Sequence, residues 1–168
     1  LVKENGLSCT LVSEGSDHWD LLIVTGQTGF SFPHSFDLLI SSIVRKIRRG
    51  DKFELLLPNP DIVYPKNLKQ FGITCGLIAH LIEKALASIC GPAKTKKFIR
   101  LGKPEEAIFR KAQKILSPNK KLVMLGDQLE TDVAGAKRFG IDSVLLASGV
   151  SKFEEVSSLQ PTFFMNSL

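Results

Sequence analysis

The sequence is poor in cysteine, and it lacks any long apolar run. Only three of its 168 residues are cysteines, Cys9, Cys75 and Cys90, and no two of them form a Cys-x-x-Cys pair. This number and spacing argue against a disulfide framework or a zinc site and favour a reducing cytoplasm. No apolar run approaches the roughly 20 residues that a membrane-spanning helix needs, and the first residues do not form a signal peptide. We therefore expect no membrane partner.

Aromatic side chains that could stack on bases are also scarce, with one Trp and one Tyr. The net charge of +5 arises in residues 91–168, where thirteen Lys and Arg face eight Asp and Glu. The two basic runs, at 45–49 and 94–97, contain neither Trp nor Tyr, so we interpret them as a solvated helix end and a solvated loop. No nucleic-acid partner is expected.

Two common nucleotide-binding motifs are missing. The sequence contains no G-x-x-x-x-G-K-[ST] and no G-x-G-x-x-G, which excludes a P-loop NTPase and a dinucleotide site of the usual kind. Its three His and three Cys form no recognisable pair for a cysteine hydrolase. The apolar content of 43% and the charged content of 23% are those of an ordinary globular chain.

Short apolar strands alternate with amphipathic helices along the chain, which predicts an α/β fold with a largely parallel sheet. We expect the purely apolar strand Leu122–Leu125 to be covered on both faces. Residues 88–97 contain Gly91, Pro92 and three lysines, so we place a boundary there, between domains 1–95 and 96–168. The other predicted strands lie at 21–24, 53–57, 98–101 and 143–147, with an extended segment at 62–64, an edge strand at 162–165, and helices near 36–47, 76–87 and 131–139.

Two polar clusters follow predicted strands, Gly102-Lys103-Pro104 and the segment from Gly126-Asp127 to Asp132. Ligands of open α/β sheets bind where parallel strands end, so Lys103 and Asp127 converge if their strands are neighbours. A lysine there suits phosphate, and a carboxylate suits Mg²⁺ with waters and phosphate oxygens. Asp132 can brace the site from behind. Taken singly, an Asp at the position of Asp132 is more often a helix cap, and a lone lysine such as Lys103 is usually a surface residue.

The two clusters together resemble the third and fourth motifs of the haloacid dehalogenase (HAD) superfamily, whose members are mostly phosphatases. Asn59-Pro60-Asp61, Val63-Tyr64-Pro65 and the Cys75-Gly76 that opens a helix are similar to the cap domain of the NagD-like branch, class IIA. The resemblance extends from about residue 21 to residue 168. It implies a C2-type α/β cap domain over 1–95, followed over 96–168 by the C-terminal half of a Rossmann-like parallel sheet, the HAD core.

The sequence departs from this family in one respect. HAD enzymes carry an Asp nucleophile in a D-x-D-x-[TV] motif at the start of the core, and this sequence has no D-x-D. The segment Asp17-His18-Trp19-Asp20 has the wrong spacing. We therefore expect the N-terminal half of the core to be missing, the natural protein to be longer, and this chain alone to be inactive.

The resemblance implies a Mg²⁺-dependent phosphatase that acts on a small phosphate monoester, such as a sugar or other metabolite phosphate, through an aspartyl-phosphate. Asp127 would bind the metal, Lys103 would clamp the phosphoryl group, and Asp132 would support the catalytic machinery. The implied substrate contacts are Lys103, Asn59, Asp61, Cys75 and Gly76.

Two alternatives stay open. Asn59-Pro60-Asp61 is equally well an ordinary turn, and the protein as a whole could be a HAD-like binding or scaffold protein that lacks the nucleophile. The sequence also leaves open which phosphate ester is the substrate and whether the protein forms a homo-oligomer.

Overall fold

The computed structural model describes residues 6, 17–67, 69–116, 120–147, 149, 151 and 159–166. A 3-10 turn covers Pro92–Lys94, and a π-helical turn covers Leu129–Val133. The helices are α1 His34–Arg49, α2 Cys75–Cys90, α3 Glu106–Leu116 and α4 Ala134–Phe139. The strands are β1 Leu21–Ile23, β2 Glu54–Leu57, β3 Val63–Asn67, β4 Gln70–Ile73, β5 Ile99–Arg100, β6 Val123–Gly126, β7 Asp142–Leu146 and β8 Phe163–Met165.

A first parallel sheet has the strand order β1-β2-β5. Its central strand buries Leu55 and Leu57 completely against α1 and α2, while Glu54 of the same strand stays exposed. Ile43 of α1 and Ile82 of α2 are also fully buried. The alternation along β2 and the helical spacing on α1 are the patterns that predicted these elements. The α/β class with parallel sheets is therefore confirmed.

The basic run at 45–49 is only partly solvated, because Lys46 is 4% exposed. Its ammonium lies 4.9 Å from the centroid of the Trp19 ring and 3.5 Å from an Asp51 carboxylate oxygen. Arg45 pairs with Asp17 at 2.8 Å. The expectation of a fully solvated helix end is wrong for Lys46, since the segment before β1 folds back over this turn of α1.

An antiparallel hairpin of β3 and β4 follows the first sheet's central strand. Every residue of β3 is exposed. The sequence predicted only an extended segment at 62–64, because a strand exposed on both faces carries no apolar alternation. The Asn67 side-chain oxygen accepts a hydrogen bond from the Lys69 N–H at 3.0 Å, which closes the turn between the strands.

The second parallel sheet has the order β6-β7-β8. Its core consists of Leu129, Val133 and Leu145, with Leu159 packed against them. Val123 and Leu125 of β6 remain 47% and 43% exposed. The expectation that this strand is covered on both faces is therefore wrong for the described part of the chain, where these two side chains stay exposed.

The division of the chain at 95/96 stays a prediction. Parallel pairing of Ile99–Arg100 with β2 keeps these two residues in the first sheet. The chain enters the second sheet only after α3, at β6.

Among the helices that the structure describes, none has the length and apolar character needed to cross a membrane.

Candidate active site

The candidate site lies where β2, β5 and β6 end. The Leu101 N–H donates to the Leu57 oxygen at 3.1 Å, which continues the β2–β5 pairing and places Lys103 just beyond the sheet. Asp127 follows β6 directly. These are the carboxyl ends of parallel strands, the edge at which α/β sheets bind ligands.

Gly102 allows two turns to pack closely together. A Cβ at this position would lie 2.5 Å from the Pro58 oxygen and 2.5 Å from Pro60 Cδ, closer than real side chains come. The turn that carries Lys103 therefore rests on the turn that carries Asp61. A glycine is needed here because of the close approach of the two backbones.

Lys103 and Asp132 form an ion pair with 2.6 Å between Nζ and Oδ1. The Asp132 side chain is 3% exposed, while that of Lys103 is 31% exposed. Asp132 Oδ2 accepts hydrogen bonds from the N–H groups of Asp127 and Gln128, at 2.9 and 3.1 Å. Both oxygens of Asp132 are thus engaged, and the carboxylate fixes the loop after β6 as well as the lysine.

The loop after β7 encloses Asp127 from the other side. The Ser151 N–H donates to the backbone oxygen of Asp127 at 3.0 Å, and the Ser151 hydroxyl accepts from the Leu129 N–H at 3.0 Å. A Cβ on Gly149 would overlap the Asp127 side chain. Sequence reasoning assigned no site role to Gly149 or Ser151, although both follow a predicted strand at the same edge of the sheet, which is the signal that could have found them.

Asp61 lies in a turn that Asn59 and Gly76 shape. The Asp61 N–H donates to Asn59 Oδ1 at 3.0 Å, and the Asp61 backbone oxygen accepts from the Gly76 N–H at 3.0 Å and from the Thr74 hydroxyl. A Cβ on Gly76 would overlap the oxygens of Pro60 and Asp61. The side-chain atom Asp61 Oδ1 is buried and has no hydrogen-bond partner in the described part of the structure.

The charges of Asp61, Lys103, Asp127 and Asp132 act on one another. Burial raises the pKa of the Asp61 carboxyl; Lys103 opposes this rise, and Asp132 and Asp127 add to it. Burial alone would lower the pKa of Lys103, but the hydrogen bond from its ammonium to Asp132 and the charges of Asp132, Asp61 and Asp127 raise it. Lys103 therefore stays protonated among three carboxyl groups.

The seven predicted site residues fall into three groups. The structure brings Lys103, Asp127, Asp132 and Asp61 into one electrostatic cluster. Asn59 and Gly76 shape the turn below it. Cys75 is 4% exposed and lies in the hydrophobic core of the first sheet, at the start of α2. The roles of all seven stay predictions.

The carboxylates fit a Mg²⁺ ion in part. Within the described ranges, no group of three or more His, Cys, Asp or Glu side chains is arranged to hold a metal. Asp132 is occupied by Lys103 and two N–H groups, and Asp127 is the neighbouring carboxylate that directly follows β6. Mg²⁺ commonly takes one or two protein carboxylates and completes its shell with waters and phosphate oxygens. A single carboxylate from the protein is compatible with a Mg²⁺ coordination shell that waters and phosphate oxygens complete.

The fold and this cluster define an α/β protein with a group of charged side chains at the carboxyl ends of parallel strands. A family model described as HAD-hydrolase-like matches residues 100–168. The dihydroxyacetone phosphatase of Corynebacterium glutamicum is 28% identical over 100% of this chain and 58% of its own length. An acid sugar phosphatase of Staphylococcus epidermidis is 27% identical over 100% of this chain and 62% of its own length.

Solved structures agree with these relatives. A thermostable NPPase from Geobacillus stearothermophilus superimposes with a TM-score of 0.72 at 27% identity, over 99% of this chain and 58% of that one. NagD from Escherichia coli K-12 shares the fold, with a TM-score of 0.69 at 23% identity over 99% of this chain and 58% of its own. The chain is therefore similar to HAD-superfamily phosphatases, with the family match confined to its C-terminal part, and it spans about 60% of the length of the curated relatives.

Proposed function

We propose that the protein containing this chain is a Mg²⁺-dependent phosphatase that hydrolyses a small phosphate monoester, such as a sugar or other metabolite phosphate. The observation that carries the proposal is the Lys103–Asp132 pair, 2.6 Å long and set beside Asp127 at the carboxyl ends of parallel strands. The similar proteins are phosphatases by name, among them a dihydroxyacetone phosphatase and acid sugar phosphatases.

Lys103 provides the positive charge for the phosphoryl group. Its raised pKa keeps the ammonium charged at neutral pH. Asp132 uses one oxygen to hold the ammonium at a fixed position, and the Lys103 side chain remains 31% exposed. A fixed charge of this kind stabilises negative charge that develops on phosphoryl oxygens in the transition state.

Asp127 is the proposed metal ligand. Two hydrogen bonds hold the loop that carries Asp127. Its backbone N–H donates to the Asp132 carboxylate, and its backbone oxygen accepts from the Ser151 N–H. A Mg²⁺ ion bound there would offset the charge of the phosphoryl group. Asp132, with both oxygens engaged, positions Lys103 and the Asp127 loop and does not act as a ligand.

The proposed substrate contacts differ in how directly they act. Lys103 and Asp61 contribute their own side chains to the cluster. Asn59 and Gly76 act through the turn that holds Asp61, and Cys75 acts by anchoring the start of α2 in the core. In this proposal residues 1–95 form a C2-type cap domain and residues 96–168 form the HAD core, with β5 of the second segment paired to β2 of the first.

The reaction proceeds in two steps. An Asp carboxylate attacks phosphorus and the ester oxygen departs with a proton as an alcohol; water then cleaves the aspartyl-phosphate, releasing phosphate and restoring the carboxylate. This sequence contains no D-x-D motif to supply that nucleophile. We therefore expect the 168-residue chain alone to be inactive and the full-length protein to act, in a reducing cytoplasm, on small phosphorylated metabolites.

The test is phosphate release by the full-length protein from glycerol phosphate, glucose phosphate and phenyl phosphate, each with Mg²⁺ and with a chelator in excess. We expect turnover that requires the metal. Absence of turnover on a broad panel of phosphate esters, with a folded protein, would favour the alternative, a HAD-like binding or scaffold protein that lacks a nucleophile.

A further inference from the structure

Ser151 binds the turn after β6 at two points. Its N–H donates to the Asp127 backbone oxygen at 3.0 Å, and its hydroxyl accepts from the Leu129 N–H at 3.0 Å. Asp127 and Leu129 are the two neighbours of Gln128, so one serine from the chain after β7 fixes the turn on both sides of a single residue. The position of this turn therefore depends on a segment that lies 22 residues further along the chain.

The other backbone groups of the turn are bound as well. The N–H groups of Asp127 and Gln128 donate to Asp132 Oδ2. The Gln128 oxygen accepts from two N–H groups of the π-helical turn, at 3.0 and 3.3 Å. Ser151 supplies the partners of the two groups that remain, the Asp127 oxygen and the Leu129 N–H. Asp132 and Ser151 together therefore hold the turn in one conformation.

The Leu129 N–H depends on the Ser151 hydroxyl in particular. Leu129 is the first residue of the π-helical turn, where an N–H group has no partner within the helix. Leu129 is 8% exposed and belongs to the core of the second sheet, so water has little access to this group. Removal of the hydroxyl therefore leaves a shielded donor without an acceptor, and the turn has to shift to recover one.

The Asp127 side chain packs against the segment that carries Ser151. A Cβ on Gly149 would overlap the Asp127 side chain, so this side chain lies directly against the backbone two residues before Ser151. The Ser151 N–H fixes the backbone of Asp127, and the Gly149 backbone limits where its side chain can go. A movement of this segment therefore moves the carboxylate that is proposed to bind Mg²⁺.

We propose that Ser151 is a positioning residue that holds Asp127 ready for Mg²⁺ before the ion binds, and that it thereby sets the affinity of the full-length protein for the metal. This inference rests on the proposed phosphatase function. Groups that orient a metal ligand from behind typically change metal affinity by about 10–100-fold when they are removed. In this role Ser151 acts through the turn, so its removal should weaken metal binding and leave kcat at saturating Mg²⁺ close to that of the wild type.

The experiment measures the Mg²⁺ dissociation constant of the full-length protein by isothermal titration calorimetry, without substrate, for the wild type, Ser151→Ala and Ser151→Thr. We expect Ser151→Ala to raise this constant by about 10-fold, and Ser151→Thr, which keeps the hydroxyl, to stay close to the wild type. Amide exchange of Leu129, followed by NMR in the metal-free protein, should be faster in Ser151→Ala only. The Mg²⁺ concentration for half-maximal turnover should rise with the dissociation constant.

Ser143→Ala is the matched control. The Ser143 hydroxyl also accepts from a backbone N–H, that of Thr162 at 3.3 Å, and it lies in β7 of the same sheet. Its removal should leave the Mg²⁺ dissociation constant unchanged. Thermal melts report folding. If Ser151→Ala does not fold, Ser151→Cys decides, because a thiol is a weaker acceptor than a hydroxyl and should also raise the constant.

Three results would overturn the inference while leaving the phosphatase function intact. The first is an unchanged Mg²⁺ dissociation constant in a folded Ser151→Ala. The second is an equal loss of affinity in Ser143→Ala, because any loosening of the second sheet would then have the same effect. The third is a Ser151→Thr that binds Mg²⁺ as weakly as Ser151→Ala, because the hydroxyl is then not responsible. A wild type that neither binds Mg²⁺ nor hydrolyses any phosphate monoester would show instead that the proposed function has failed.

Discussion

Asp132 is almost completely buried, and a buried carboxylate is stable only when its charge is offset and its oxygens are bonded. One oxygen meets Lys103, and the other meets the N–H groups of Asp127 and Gln128. The same side chain thus fixes both a cation and the loop that carries the next carboxylate. Changes at these positions should separate electrostatic effects from structural ones.

Lys103→Met keeps much of the side chain's length but removes its charge. We expect kcat of the full-length enzyme to fall by at least ~10²-fold, the effect of deleting one electrostatic stabiliser of a transition state. The control is Lys111→Met on the exposed surface of α3. Unchanged turnover in Lys103→Met would show that Lys103 is an ordinary surface lysine, and a loss of melting temperature in step with activity would show a purely structural role.

Asp127→Asn tests the metal ligand. The substitution is nearly isosteric and leaves the backbone N–H that donates to Asp132. We expect Mg²⁺-dependent hydrolysis to be abolished while the circular dichroism spectrum stays that of the wild type. Glu130→Gln, an exposed carboxylate in the same loop, should keep full activity. Near-normal activity of Asp127→Asn would rule out this carboxylate as the ligand.

Gly126→Ala tests whether Asp132 needs the space beside it. A Cβ at this position would overlap the Asp132 carboxylate, so the carboxylate has to move away from its two N–H donors. We expect a loss of about 1–3 kcal/mol in the free energy of unfolding, typical of overpacking, measured by denaturant titration. Gly26→Ala is the control, because no atom lies within 4 Å of a Cβ there. Equal stabilities of the two variants would contradict the packing argument.

At the scale of elements, Glu83 joins α2 to β5. Its carboxylate accepts from the Phe98 N–H at 2.8 Å and pairs with Arg100 at 3.0 Å. Burial by itself raises the pKa of Glu83. The hydrogen bonds from Arg100 and Phe98 and the charges of Arg100 and His80 lower it by more, so the pKa lies below its usual value. A carboxyl with a lowered folded-state pKa stabilises the fold above its unfolded pKa.

Glu83→Gln should therefore lower the free energy of unfolding by roughly 1–2 kcal/mol at pH 7, since it removes hydrogen bonds to a charged group. The difference in unfolding free energy between wild type and variant should shrink once the pH falls below about 4.5, the ordinary pKa of Glu. It should vanish as the pH passes through the lower pKa that Glu83 has in the folded state. Urea titrations at several pH values measure this. A difference that is constant with pH would show that the ion pair does not link α2 to β5 energetically.

At the scale of the whole molecule, the two sheets have unequal cores. Among the described residues, fourteen buried ones form the first core, whereas Leu129, Val133 and Leu145 form the second. Val123 and Leu125 of β6 keep one face exposed. Local stability follows the number of buried apolar contacts, so the second sheet should open more readily than the first.

Amide hydrogen exchange of the 168-residue chain should therefore show faster exchange in β6 and β7 than in β2 and α2. Protection factors lower by at least ~10-fold are expected, which corresponds to opening at a free energy about 1.4 kcal/mol smaller. Mass spectrometry of peptides from each sheet measures this difference. Equal protection in both sheets would show that the chain opens as one cooperative unit.

The sequence by itself determined most of the elements and the polar edge of the sheets. The predicted convergence of Lys103 and Asp127 required neighbouring strands, but β5 and β6 lie in separate sheets, and Asp132 links the two residues instead. Apolar alternation predicted β2, and helical spacing predicted α1. These properties depend on neighbours along the chain, where the periodicity of the backbone makes them readable. The resemblance to the HAD family rests on the same local strings.

Only the tertiary structure decided which groups share a contact. Asp61 reaches the cluster because Gly102 lets its turn pack against that of Lys103, and Lys46 is buried because Trp19 folds over it. Likewise, Leu125 of the second sheet stays 43% exposed within the described part of the chain, although its strand is purely apolar. Such contacts join residues that are far apart in the chain. Their energy depends on how whole helices and strands pack together, and a local sequence pattern does not contain that information.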